Sequence, residues 1–157
     1  MQRHEAEYVG NEGAKINAFG RVLVNLLANK GKFAPFDEIA CVEVKRSGDF
    51  DIELDVHHVL IGGTFKHAFS KLSGHMSLYG VLVLREIGQD GHPIGLPFLS
   101  FSLDGEGNLG WRGPIHDLHG ALPVNRDAAN RQRTALLELL RMKVQEHLWE
   151  VAQSAEN

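Results

Sequence analysis

His116 and His119 stand three residues apart with Asp117 between them. Arg112-Gly113-Pro114 and Gly120-Ala121-Leu122-Pro123 bracket the pair. Two imidazoles at that spacing can converge on one divalent metal when the stretch makes a helical turn. A catalytic site needs a third ligand, and His57 or Asp55 is the natural donor. Glu53, two residues from Asp55, would then act as base toward a metal-bound water. The chemistry implied is that of a metal-assisted hydrolase or lyase, with a divalent metal as its cofactor. It requires the connector over residues 112–125 to fold across the strand that carries Asp55. The H-E-x-x-H signature of zinc peptidases is absent.

Other residues invite weaker readings. Asp51, Glu53, Asp55 and His57 share one face of a strand, which describes either an acid–base site or a solvent-facing row of charges. His57 and His58 occupy adjacent strand positions, so their rings point to opposite faces and His58 joins the apolar side. Gly62-Gly63-Thr64, with Lys66 close behind, resembles a glycine-rich turn opening a helix, where backbone N–H groups hold phosphate. The full P-loop spacing and G-x-G-x-x-G are both missing. Cys41 lies beside acidic residues, which disfavour the thiolate, so no nucleophile is read there. Nine histidines make the chain histidine-rich, and seven of them fall between His57 and His119.

The elements that must carry these residues follow from periodicity. Ile16, Phe19, Val22, Leu23, Leu26 and Leu27 recur at three- and four-residue spacing, which predicts a helix over 15–30 ending at Gly31. Residues 1–13 read as a flexible polar start with a turn at Gly10-Asn11-Glu12-Gly13. Alternation predicts a hairpin of strands near 40–45 and 50–57, with Val44 opposite Ile52 and Val42 opposite Leu54. Gly62-Gly63 ends the second strand, and residues 64–75 are read as one or two helical turns. Strands over 76–87 and 95–104 pair Leu82 with Leu99. The first of these is apolar on both sides, as expected of a central strand covered on both faces. A hairpin at Asp104-Gly105-Glu106-Gly107-Asn108 pairs Leu103 with Leu109 and Phe101 with Trp111. A final helix spans about 126–153, roughly 42 Å long against a domain radius of gyration near 15 Å.

That order defines one α+β domain over 1–157. An antiparallel sheet of about five strands is flanked by an N-terminal helix and a long C-terminal helix packed on it. The long helix carries two apolar stripes. Leu136, Leu137, Leu140, Val144, Leu148 and Val151 form the first. Leu139, Met142 and Trp149 form a second, rotated one, read as a homodimer contact. Its basic residues Arg126, Arg131, Arg133, Arg141 and Lys143 are read as a solvated outer face. A pocket between sheet and helix, lined by Phe65, Phe69 and Trp111, would suit a small apolar ligand.

Composition sets the outer limits. The chain has 157 residues, 43% of them apolar and 23% charged, with a formal charge of -4 and a single cysteine. That is globular composition, without a disulfide framework or a zinc-ligand cysteine cluster. The negative balance gives no pull toward nucleic acid or an anionic membrane. No run is long enough to span a bilayer. The expectation is therefore a small cytoplasmic binding or regulatory protein, homodimeric and with a protein partner or ligand. The metal hydrolase and the apolar-ligand carrier stand as alternatives.

Overall fold

The computed structural model describes residues 2–28, 42–48, 50–72, 75–112, 120–121 and 126–156. Helix α1 spans Arg3–Ala28, and six strands follow: β1 Val42–Arg46, β2 Asp51–Val56, β3 Val59–Leu72, β4 His75–Ile87, β5 Pro93–Leu103 and β6 Asn108–Arg112. A two-residue strand, β7 Gly120–Ala121, and helix α2 Arg126–Glu156 complete the order. The sheet is an antiparallel meander in which every strand pairs with its neighbours in sequence, β1 through β7. The α+β architecture is as the periodicity implies, with one more full strand than expected.

Helix α1 is longer than its apolar spacing suggests. It starts at Arg3, and the expected turn at Gly10-Asn11-Glu12-Gly13 lies inside it. Glycine in a helix interior costs about 0.5–1 kcal/mol relative to alanine, so tertiary packing must favour it here. Gly13, Ile16, Gly20, Leu23, Val24 and Leu27 form the buried stripe. Gly13 approaches His67 of β3 and Leu78 of β4, and Gly20 sits against the ring of Phe65. The glycines let the helix lie close on the sheet.

One face of the sheet builds the core. Ile52, Leu54 and Val56 from β2, Ile61 from β3, Leu82 and Leu84 from β4, and Leu99, Phe101 and Leu103 from β5 are all buried. Leu23, Val24 and Leu27 of α1 and Leu136, Leu137, Leu139, Leu140 and Val144 of α2 join them in a single cluster. Both helices therefore cover the same face. Strand β4 is central, as expected, and among the described residues both helices lie on its core side. Its outward Tyr79, Val81 and Val83 are half-buried, while Glu53, Asp55, Thr64 and Lys66 beside them stay exposed.

The hairpins hold two corrections. Strand β2 does not run to Gly62-Gly63. It turns at His57-His58, where both residues adopt left-handed backbone angles (φ 53° and 62°). That is the two-residue turn whose twist matches flanking strands. Residues 59–72 then form β3 rather than a helix, with both glycines inside the strand. The first hairpin pairs Val44 with Leu54 and Val42 with Val56, and β4–β5 pairs Leu82 with Phe101 and Leu84 with Leu99. In both cases the expected faces are right and the partners are shifted by two residues. The β5–β6 register is as expected, Leu103 with Leu109 and Phe101 with Trp111.

That β5–β6 turn is organised by Asp104. Its carboxylate accepts the backbone N–H of Glu106 and of Asn108, both at 2.9 Å, and the side-chain amide of Asn108 at 2.8 Å. Partial burial pushes this carboxyl up, but the amide of Asn108 and the N–H groups of Asn108, Glu106 and Gly107 outweigh it. The group sits below its ordinary value of 3.8. A lowered folded value stabilises the fold above the unfolded value, and that stabilisation is lost as pH falls through the folded one. Asp104→Asn should therefore be less stable than wild type near neutral pH, with the gap closing below about pH 4. Thermal unfolding followed from neutral to acidic pH checks this, and a constant gap would rule it out.

Candidate functional site

His57 and Asp55 come together at the end of the β2–β3 hairpin. They line a groove of about 290 Å³ with Val42, Glu43 and His58. Both imidazoles are exposed in the turn, so His58 is not the core histidine that strand alternation implies. The Nε2 atom of His57 lies 2.8 Å from the side-chain amide nitrogen of Gln145 on α2. Glu53 is exposed on the outer sheet face and does not line this groove. Among the described residues no group of three His, Cys, Asp or Glu is placed to hold a metal. His116, His119 and Cys41 lie outside the described residues.

The expected apolar pocket takes a different form. Phe65 stacks on Phe50 with ring centroids 5.6 Å apart and meets His67 edge-on. Its ring tip is wedged between Gly20 of α1 and Gly80 of β4. Phe65 thus fills the space under α1 instead of lining a cavity beside α2. Phe69 is 52% exposed. The side chain of Trp111 is outside the described residues, though its backbone pairs with Phe101.

Helix α2 separates its two apolar stripes unevenly. Leu139, expected at a dimer contact, is buried in the core of its own chain. Met142 is 39% exposed and Trp149 is 66% exposed. Val151, read as part of the core stripe, is also exposed, because α2 continues to Glu156 beyond the packed segment. Two of the helix's cations are not on a solvated face. Arg133 and Lys143 are both buried. Arg133 donates to the carbonyl of Leu27 at the end of α1 (3.5 Å), and Lys143 pairs with Glu146 at 3.0 Å. His147 fixes the helix to the sheet, 2.9 Å from Glu86 and stacked on Phe98.

A third place was hidden from sequence reading. On the outer sheet face Gly62, Thr64 and Lys66 of β3 and Val83, Arg85 and Ile87 of β4 line a groove of about 370 Å³, closed at one end by Gly91 and Pro93. Gly62, Thr64 and Lys66 of that motif are thus part of a concave surface, while Gly63 faces the core against Ile52 and Leu82. The backbone of the motif sits in a sheet ladder rather than at a helix start, so only its side chains are free to meet a ligand.

No protein-family profile, curated protein or solved structure matches the chain. No described helix is long and apolar enough to cross a membrane.

Proposed function

We propose that the protein is a cytosolic binding or regulatory module that acts as a homodimer through the exposed face of α2. The observation that carries this is the pair Met142 and Trp149. Seven residues apart, they share one face of α2, about 10 Å apart along the axis. Tryptophan and methionine are the residue types enriched at the centres of protein interfaces. A two-fold pairing of antiparallel α2 helices would set Trp149 of each copy against Met142 of the other. That gives two sulfur–aromatic contacts for one symmetry operation. The single cysteine in 157 residues suits a reducing compartment.

The test is mass in solution by sedimentation velocity across a wide concentration range. Wild type should run as a dimer. Trp149→Glu should weaken self-association by at least about tenfold, since a charge would be buried unpaired. Its far-UV spectrum should not change, because Trp149 supports no core contact in the single chain. A wild type that stays monomeric at every concentration removes the reading.

A further inference from the structure

We propose that the outer-face groove between β3 and β4 is a binding site for a small organic anion, a carboxylate or phosphate ester with a compact apolar body. The two cations that line it carry the inference. Arg85 is half-buried and Lys66 exposed. Among the described residues, neither has a hydrogen-bond or ion-pair partner. A guanidinium drawn partly out of water without an acceptor leaves a donor fork unused, and such a fork matches carboxylate or phosphate oxygens. The chain as a whole is negative, at -4, so two unpaired cations in one concavity stand against the background.

Register explains why they converge. Gly62 pairs with Arg85, Thr64 with Val83 and Lys66 with Val81. Four residues of strand separate Arg85 from Lys66, roughly 13 Å between backbones. The cross-strand pair Thr64 and Val83 lies midway. Both long side chains can lean inward over that pair, where the Thr64 hydroxyl offers a third polar contact. Ile87 and Pro93 supply an apolar wall at the Arg85 end. Gly62 leaves room for that wall, since a Cβ on it would meet Ile87 Cδ1 at 2.6 Å and push the side chain aside. The volume falls at the lower end of the range for small-molecule sites, about 300–1,000 Å³.

Two carboxylates oppose an anion. Asp51 of β2 pairs with Thr64 itself, one strand spacing away, and its Oδ1 accepts the backbone N–H of Phe65. Glu53 pairs with Gly62 on the far side from Arg85, about 10 Å away across two strand spacings. At that distance in solvent its repulsion weakens an anion by about twofold. Against these two carboxylates the site depends on direct hydrogen bonds from both Arg85 and Lys66.

The experiment is a titration of isotopically labelled full-length protein followed by amide chemical shifts, with four probes: inorganic phosphate, phenyl phosphate, benzoate and neutral benzamide. Saturable shifts centred on Gly62, Thr64, Lys66 and Arg85 are expected with phenyl phosphate or benzoate. Arg85→Gln should weaken that binding by about tenfold or more, the usual loss for a hydrogen-bonded charge. Glu53→Gln should tighten it by about twofold. Saturable binding of phenyl phosphate without benzoate assigns the phosphate-ester class, and the reverse assigns the carboxylate class. Binding of inorganic phosphate alone overturns the apolar half of the proposal. No saturable shift at these amides, shifts indifferent to Arg85→Gln, or equal binding of benzamide overturns the site.

Discussion

Gly80→Val should destabilise the protein by about 2–3 kcal/mol, a fall in thermal midpoint of roughly 5–10 °C for a chain of this length. Strand propensity alone says the opposite, because valine is favoured over glycine in a central strand by up to about 1 kcal/mol. Packing decides the sign. A Cβ on Gly80 would collide with the ring of Phe65 and come 2.7 Å from Cγ2 of Ile16 on α1. Both neighbours are held. Phe65 is clamped by Phe50 and His67, and Ile16 is fully buried. Neither can yield without shifting α1. The same geometry predicts coupling: in a Phe65→Ala background, much of the Gly80→Val penalty should vanish, since the ring that collides is gone. Urea and thermal unfolding of the two single variants and the double variant measure this. A Gly80→Val protein as stable as wild type would mean that α1 does not rest on this strand through Phe65.

The paired substitution His57→Asn with His58→Gly should raise stability by about 1–2 kcal/mol, or roughly 3–6 °C. Each histidine holds a left-handed backbone conformation that costs an ordinary L-residue about 1–2 kcal/mol. Asparagine tolerates that region and glycine enters it freely, which is why Asn-Gly dominates such turns. Against the gain stands the lost contact of His57 with Gln145, an exposed one and therefore small. Replacing both histidines by alanine keeps the strain and should bring no gain. If the Asn-Gly variant melts below wild type, the two imidazoles contribute more through their side chains than the backbone strain costs.

The misreadings of this chain have common physical roots. Alternation assigns faces because side chains flip every residue, so Val42, Val44, Ile52 and Leu54 fall on the buried side as expected. It does not choose between registers that differ by two, since these keep every face intact. The loop from Ser47 to Phe50 and the bulge beyond Leu84 make that choice. The β5–β6 register was legible because Asp104 and Gly107 define a short turn of fixed length. Glycine misled in both directions. In α1 it marks close approach to the sheet, and in β3 it makes room for Ile52 and Ile87. Neither position is a turn. His57-His58 went unread as a turn because it lacks the glycine or asparagine that signals one. The pairing of Arg85 with Gly62, and so the groove, depended on recognising β3 as a strand.

The sheet's sequential strand order has a kinetic side. Each β ladder joins residues that are near in sequence, so strands can zip one hairpin at a time with little loop entropy lost at each step. The distant closures are those of the helices, such as Arg133 reaching Leu27 across 106 residues. The sheet's apolar face therefore stays open until both helices arrive. Synthesis reaches α2 only after the whole sheet, and until then the nascent sheet presents Leu99, Phe101 and Leu103 without that cover. The C-terminal helix is thus the step that removes the aggregation hazard, and a chain truncated before it would be expected to need a chaperone.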